Sequence, residues 1–161
     1  MTGADARPIL VAYDASEEAQ TALREAVALF GHRPLIVASV WEPGLAMVSM
    51  VPPAGEPSMG YMPDPEEVAA IDQVQSGHAD DVAEAGARLA RELGATAEAL
   101  SMPDSANVAD TLIAIAEERD ARAIVVGSRG LGGIKARVLG STSHKLLHDT
   151  HRPVLVVRTP E

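Results

Sequence analysis

The residues with the clearest chemical potential lie in one glycine-rich segment, GSRGLGGIKARVLGST, at positions 127–142. Gly127 and Gly130 can adopt positive φ and let a ligand approach the backbone closely, which a residue with a Cβ does less easily. Loops of this kind hold phosphate groups through backbone N–H donors. The segment therefore points first to an anion-binding loop.

The end of this segment is predicted to begin a helix. Gly140, Ser141, Thr142 and Ser143 would supply unpaired N–H groups at the positive end of the helix dipole, and three hydroxyls add donors. Residues 127–152 carry five Lys or Arg residues against one Asp, a formal charge of +4, which leaves −14 for the rest of the chain. An anion would be attracted here and repelled elsewhere.

Two common phosphate motifs fail on spacing. Counted from Gly127 as a Walker A loop, Gly132 is followed by Gly-Ile and not by Lys and a hydroxyl residue. Counted from Gly130 as a dinucleotide fingerprint, the third glycine is replaced by Lys135, and the segment follows the fourth strand instead of the first.

The elements that must position this loop alternate along the chain. Short apolar runs predict strands at 9–13, 35–41, 96–101, 122–127 and 154–158. Helical spacing and capping residues predict helices that begin at Ser16, at Asp64–Pro65, at Ser105 or Asn107, and at Ser141, the second of them ending at Gly94.

This alternation predicts an open three-layer α/β domain with a mostly parallel sheet covered on both faces. In such sheets, ligands bind beyond the carboxyl ends of the strands, where the strand order reverses. If strand 1 lies beside strand 4, Asp14 and the loop from Gly127 share that crevice.

The spacing Gly127, two residues, Gly130, nine residues, Gly140, Ser141 resembles the nucleotide-binding signature G-2x-G-9x-G-[S/T] of the universal stress protein family. The segments ILVAYDASEEAQTAL, IAEERDARAIVVGSRG and HRPVLVVR extend the resemblance over nearly the whole chain. The resemblance implies five parallel strands in the order 3-2-1-4-5, the adenine-nucleotide alpha-hydrolase-like fold. It also implies a dimer that binds ATP, or another adenine nucleotide, across strands 1, 2 and 4.

The resemblance also implies roles for particular residues. The triphosphate cradle would be Gly127, Arg129, Gly130, Gly140, Ser141, Thr142 and Ser143. Ala12, Tyr13 and Asp14 would border the adenosine, with Asp14 near the ribose or a phosphate-bound Mg²⁺. Val40 would meet the adenine through its backbone. Two positions depart from the common pattern: Ala15 stands where many members have glycine, and Arg129 where histidine is also common.

Composition restricts the class of protein. With 161 residues we expect one domain, 1–161. Only 2% of residues are aromatic and the net charge is −10, so neither nucleic acid nor an anionic membrane is an expected partner. The chain has no cysteine, and its start does not resemble a secretion signal, so a cytoplasmic protein is expected. Residues 43–63, rich in Met, Pro and Gly, predict a flexible loop or, alternatively, a lid or partner-binding flap.

Three functions remain open from the sequence. The first is a nucleotide-binding regulator of a stress response, with slow or no hydrolysis, because Asp14 is the only nearby candidate for a general base. The second is an ATPase or phosphotransferase in which Asp14 holds Mg²⁺ and Arg129 or Lys135 stabilises the γ-phosphate. The third is an interaction module that does not depend on nucleotide.

The histidines near the C-terminus and the last strand raise two further questions, of metal binding and of dimerisation. His144 and His148 are four residues apart, as in a metal site, but no third ligand is evident, and ordinary surface or packing roles are favoured. The last strand, at about 153–158, would be an exposed sheet edge unless a second subunit covered it. We therefore expect a homodimer that pairs these strands antiparallel; a regulatory protein partner is not identified.

Overall fold

The computed structural model describes residues 6–44, 64–128 and 139–159. Within these ranges the chain forms five strands and four helices in alternation. The strands are β1 (Ile9–Ala12), β2 (Leu35–Trp41), β3 (Ala97–Pro103), β4 (Ala123–Gly127) and β5 (Val154–Val157). The helices are α1 (Glu17–Phe30), α2 (Pro65–Glu92), α3 (Val108–Glu118) and α4 (Ser141–Asp149). Every predicted element is present, and its bounds agree with the prediction to within two residues.

The five strands form one parallel sheet in the order β3-β2-β1-β4-β5. Strand β1 lies at the centre, where Ile9 pairs with Leu35 of β2 on one side and with Ala123 of β4 on the other. The predicted fold class and strand order are therefore confirmed. Because β1 and β4 are neighbours, the segments that follow them leave the sheet side by side.

Side-chain caps begin three of the helices. Ser16, Asp64 and Asn107 each accept a hydrogen bond from a backbone N–H of the first turn that follows. Asn107, and not Ser105, is therefore the cap of α3. The Ser105 N–H instead donates to the hydroxyl of Thr111, 3.0 Å away, which fixes the turn between β3 and α3.

Alternate residues of the central strands point into two separate cores. Ile9, Val11 and Val125 pack with α1 and α2 on one face of the sheet. Leu10 and Ile124 pack with α3 and α4 on the other face. Because both faces are covered, the central strands are apolar throughout, which is why they appear in the sequence as uninterrupted runs.

Helix α2 approaches the sheet closely at Gly86. A Cβ at this position would lie 2.7 Å from the ring of Tyr13 and 2.8 Å from a methyl group of Val37. Tyr13, which is 7% exposed, thus packs in the core between the sheet and α2. Gly77 lies on the same helix, and a Cβ there would meet nothing within 4 Å.

The end of β2 is joined to α2 by one further contact. Gly44, at φ +75°, donates its N–H to the Asp72 carboxylate, 2.8 Å away. Most of the segment predicted to be a flexible loop, residues 45–63, lies outside the described residues. None of the helices in the described ranges is long and apolar enough to cross a membrane.

Gly86 and Gly77, both on α2, give a matched test of how closely this helix packs on the sheet. Gly86→Ala should lower the free energy of unfolding, because overpacking a filled core costs about 1–3 kcal/mol, more than the roughly 0.5–1 kcal/mol by which alanine favours a helix over glycine. Gly77→Ala should raise it by about 0.5–1 kcal/mol. Urea denaturation followed by circular dichroism measures both variants. Equal stabilisation by the two substitutions would contradict the close packing at Gly86.

Candidate functional site

The first part of the site follows β1 at the carboxyl edge of the sheet. The Tyr13 N–H donates to the Ala38 carbonyl of β2, 2.8 Å away, so the chain leaves β1 still attached to its neighbour. Burial, and then the charge of Asp14, raise the pKa of the Tyr13 phenol above its usual value. The ring packs in the α1–α2 core, on the opposite face of the sheet from α3 and α4.

Asp14 forms the turn between β1 and α1. One of its carboxylate oxygens accepts the Ser16 N–H at 3.0 Å. Between them, Ala15 has φ +63°, in the left-handed region that favours glycine. A residue with a Cβ loses about 1–2 kcal/mol in this region. The backbone conformation at Ala15 therefore favours glycine, the residue that the family resemblance implies for many members at this position.

Gly127 is the last residue of β4, and its role is structural in the described contacts. It is not among the residues with positive φ, so the conformational freedom noted from the sequence is not used here. A Cβ at Gly127 would lie 3.1 Å from the main chain of Glu18 in the first turn of α1. The absence of a side chain therefore lets α1 approach the end of β4.

The two ends of the glycine-rich segment are held together by hydrogen bonds. The Gly140 N–H donates to the Ser128 carbonyl at 2.8 Å. The Ser143 hydroxyl, in a residue only 2% exposed, donates to the Gly127 carbonyl, also at 2.8 Å. These bonds fasten the start of α4 to the end of β4. Arg129 and Gly130 lie between them, outside the described residues.

Helix α4 begins without a side-chain cap. Gly140 occupies the cap position with φ −58° and ψ 153°, a conformation open to any residue. Among the described residues, the first intrahelical bond of α4 runs from the His144 N–H to the Gly140 carbonyl, 2.9 Å. The N–H groups of Ser141, Thr142 and Ser143 therefore have no acceptor within the helix. They form a donor set of the kind that binds anions.

A surface depression brings this helix start together with the start of α3. Its described lining consists of Glu42, Asn107, Val108, Ala109, Ser141, Thr142 and Lys145. Two helix N-termini thus open onto one concave region at the carboxyl edge, with an acidic side chain contributed from the end of β2. This convergence places polar donors and charged groups of both signs within one candidate site.

Lys145 is the described cation of this depression. Its Nζ lies 3.1 Å from Asp110 Oδ1 of α3 and 2.5 Å from Asp149 Oδ2 of α4. The hydrogen bond to Asp149, and then the one to Asp110, raise the pKa of Lys145 above its usual value. Bonds from Lys145 and then His148 lower the pKa of Asp149. The ammonium and the Asp149 carboxylate therefore remain charged near neutral pH.

The site predicted from the sequence is thus only partly gathered by the described structure. Ala12 ends β1 and Asp14 follows it, Val40 is partly buried near the end of β2, and Gly140 through Ser143 lie at the start of α4. Sequence reasoning did not assign Glu42 or Asn107 to the site and treated Lys145 only as part of a basic segment. The spacing of Lys145, four residues after Ser141, was the available signal, because it places both on one helix face.

The histidines of α4 do not gather a metal site in the described part of the chain. His148 Nδ1 lies 2.7 Å from Asp149 Oδ1, which accounts for one of the two rings. Within residues 6–44, 64–128 and 139–159, no group of three His, Cys, Asp or Glu side chains is arranged to hold a metal ion.

The fold and the glycine-rich helix start define an α/β protein with a candidate anion site at the strand reversal. The model of the universal stress protein family matches residues 6–158. The chain therefore belongs to the universal stress protein family.

Two named relatives illustrate the extent of this likeness. A universal stress protein of Mycolicibacterium smegmatis is 35% identical over 153 residues, which cover 92% of this chain and 47% of the relative. Universal stress protein YxiE of Bacillus subtilis is 51% identical over 43 residues, 27% of this chain and 29% of the relative. The matched region thus spans less than half the length of each of these relatives.

Solved structures share the fold along nearly the whole chain. Hypothetical protein MJ0577 has a TM-score of 0.76 at 20% identity, with 97% of this chain and 98% of that chain covered. An Archaeoglobus fulgidus universal stress protein in complex with dAMP has a TM-score of 0.59 at 24% identity, covering 92% and 95%.

Two further structures of the same fold contain adenine nucleotides. A universal stress protein in complex with cAMP has a TM-score of 0.60 at 22% identity, covering 96% and 98%. An Arabidopsis thaliana family protein with AMP bound has a TM-score of 0.59 at 16% identity, covering 95% and 92%.

The bond between Ser143 and Gly127 gives a testable consequence for stability. Ser143→Ala should lower the free energy of unfolding by about 1–3 kcal/mol, because it leaves a buried carbonyl without its donor. Ser141→Ala, at an exposed position of the same turn, should change it by less than about 0.5 kcal/mol. Denaturant titration of both proteins without nucleotide makes the comparison. If both variants match the wild type, Ser143 does not fasten α4 to β4.

Proposed function

We propose that this protein binds an adenine nucleotide, with ATP as the expected ligand, and acts as a regulatory protein. The observation that supports the proposal most strongly is the uncapped start of α4, whose first N–H groups lie at the strand reversal beside a polar depression. Adenine nucleotides bound to relatives of the same fold support the choice of ligand.

The phosphates would lie on the backbone N–H groups that follow Gly140, with the hydroxyls of Ser141 and Thr142 as further donors. Ser143 would contribute through its N–H, because its hydroxyl proton is already donated to Gly127. We assign Gly127, Arg129 and Gly130 to the same cradle on the spacing of the sequence.

The nucleoside would lie along the carboxyl ends of β1 and β2. Ala12, Asp14 and the main chain of Tyr13 would border the adenosine, and the Val40 backbone would meet the adenine. Mg²⁺ would be held chiefly by the phosphates. Asp14 could assist with the carboxylate oxygen that does not accept the Ser16 N–H.

We further propose slow or no hydrolysis, with bound nucleotide altering conformation or partner choice in a cytoplasmic stress response. One carboxylate oxygen of Asp14 is already engaged in the turn before α1, which restricts its use as a general base. The whole chain, 1–161, would act as a single domain.

A homodimer through β5 completes the proposal. Strand β5 lies at one edge of the sheet, and no described strand pairs with its outer side. The Pro153 carbonyl accepts from the Ile124 N–H, and the Val157 carbonyl accepts from the Ser128 N–H. Because successive residues of a strand direct their backbone groups to opposite sides, the N–H of Val156 points away from β4. An open row of backbone donors and acceptors is a template for a second copy.

The dimer is tested by removing one outward donor. Val156→Pro deletes an N–H that β4 does not use, so we expect monomers whose sheet is retained. Val156→Thr keeps the N–H and should remain dimeric. Analytical ultracentrifugation gives the mass, and circular dichroism checks the fold. A folded dimer of the Val156→Pro protein would rule out pairing through this edge.

Nucleotide binding is tested by giving α4 its own anionic cap. In Gly140→Asp the new carboxylate should accept the first-turn N–H groups, which keeps or raises stability without ligand and removes the donors from phosphate. At an ATP concentration of 100 times Kd, the free energy of unfolding of the wild type should rise by about 2.7 kcal/mol. We expect this gain to be lost in Gly140→Asp, measured by thermal unfolding with and without ATP.

Gly77→Asp is the matched control, because it adds the same charge to an open position of α2. Its nucleotide-dependent stabilisation should equal that of the wild type. A full ATP response in Gly140→Asp would contradict phosphate binding at α4. Chromatography of the nucleotide after incubation should recover ATP, and rapid formation of ADP would contradict slow hydrolysis.

A further inference from the structure

Lys145 occupies a place in the depression that the family spacing does not include. It lies one helical turn after Ser141, on the same face of α4. Its side chain accordingly lines the same depression as Ser141 and Thr142. The side chain is therefore next to the turn whose N–H groups have no intrahelical acceptor, and its ammonium contacts Asp110 and Asp149.

Two carboxylates from different helices hold this ammonium. Asp110 of α3 and Asp149 of α4 accept from Nζ at 3.1 Å and 2.5 Å. An ammonium has three N–H donors, so two acceptors leave donor capacity for a ligand oxygen. Since Lys145 and Asp149 are also four residues apart, the pair restricts the side chain along the helix surface.

The α3 side of this arrangement is itself fixed. The second oxygen of Asp110 accepts a bond from the Asn107 side-chain amide at 2.5 Å. Asn107 caps α3 and lines the depression. A chain of contacts therefore runs from the start of α3 through Asp110 to the Lys145 ammonium of α4. Lys145 therefore has a defined position relative to both helices.

Charge is distributed unevenly around the depression. Lys145 supplies a positive charge beside the first turn of α4, whereas Glu42 supplies a negative charge from the end of β2. A ligand with a hydroxyl-bearing end and an anionic end can satisfy both only in one orientation. The favourable orientation places the phosphate near Lys145 and the uncharged groups of the ligand near Glu42.

We propose that Lys145 binds the phosphate chain of the nucleotide and makes affinity rise with the number of phosphates. The inference rests on the proposed nucleotide site and adds a residue that distinguishes ATP from AMP. Asp110 and Asp149 position the ammonium, and their two negative charges outweigh its single positive charge, so removing one carboxylate strengthens the attraction of this cluster for phosphate. The discrimination comes from charge, because a compact ammonium attracts each added phosphate without needing bidentate geometry.

The experiment measures Kd by calorimetry for adenosine, AMP, ADP and ATP at one salt concentration. Lys145→Gln should weaken ATP binding by about fivefold, the effect of losing one partly exposed charge contact, and leave adenosine unchanged. Lys145→Arg should keep the preference for ATP. Asp110→Asn should tighten ATP binding relative to adenosine.

Arg91→Gln is the matched control for loss of one ion-paired cation. Arg91 lies on α2, where Nη1 contacts Glu84 Oε1 at 2.8 Å, and it packs on the other side of the sheet. This variant should keep the wild-type order of affinities. Thermal unfolding without ligand checks that each variant is folded.

The outcomes separate the two proposals. If the wild type binds none of the four ligands, the proposed function fails and the role of Lys145 fails with it. If the wild type binds ATP and Lys145→Gln loses affinity equally for adenosine and ATP, or loses none, only the role of Lys145 is overturned. An equal loss of ATP preference in Arg91→Gln would also overturn it.

Discussion

The structure depends on the central place of β1, which forms parallel pairs with β2 on one side and β4 on the other. The chain first proceeds outward through β2 to β3 and then returns across β1 to begin β4. Because parallel crossovers are right-handed, this change of direction puts α1 and α2 on one face and α3 and α4 on the other. The connections that follow β1 and β4 therefore start side by side and pass to opposite faces of the sheet, and a crevice forms where they separate.

The glycines of the family signature serve different physical purposes. Gly127 admits the first turn of α1, since a Cβ would lie 3.1 Å from the Glu18 main chain. Gly140 instead begins α4 without a side chain that would occupy its N–H groups. Ser143 connects the two positions through the Gly127 carbonyl. Gly127 thus meets a packing requirement, whereas Gly140 leaves the first N–H groups of α4 without a side-chain acceptor.

The candidate site brings charged groups of both signs close together. The net charge is −10, yet the depression contains Lys145 and the positive ends of two helix dipoles. Asp110 and Asp149 hold the ammonium between α3 and α4. The same carboxylates that fix its position also offset its positive charge, so the charge of the depression and the docking of the two helices depend on one set of contacts.

The sequence by itself determined the elements and much of their order. Apolar runs marked the buried strands, hydroxyl and amide residues marked the helix starts, and the resemblance carried by the glycine spacing indicated the family that matches residues 6–158. These features are local, or are carried by a resemblance that spans the chain. The strand adjacency expected from that resemblance is the one observed.

Only the tertiary structure decided which side chains face the site. The Tyr13 ring packs against α2, and the Ser143 hydroxyl donates to the Gly127 carbonyl, although both residues were assigned to the site from the sequence. Glu42, Asn107 and Lys145 come from three separate elements and meet at one depression. Periodicity shows that a residue is in a strand or helix, but the face it presents and the partner it meets depend on how the crossovers pack.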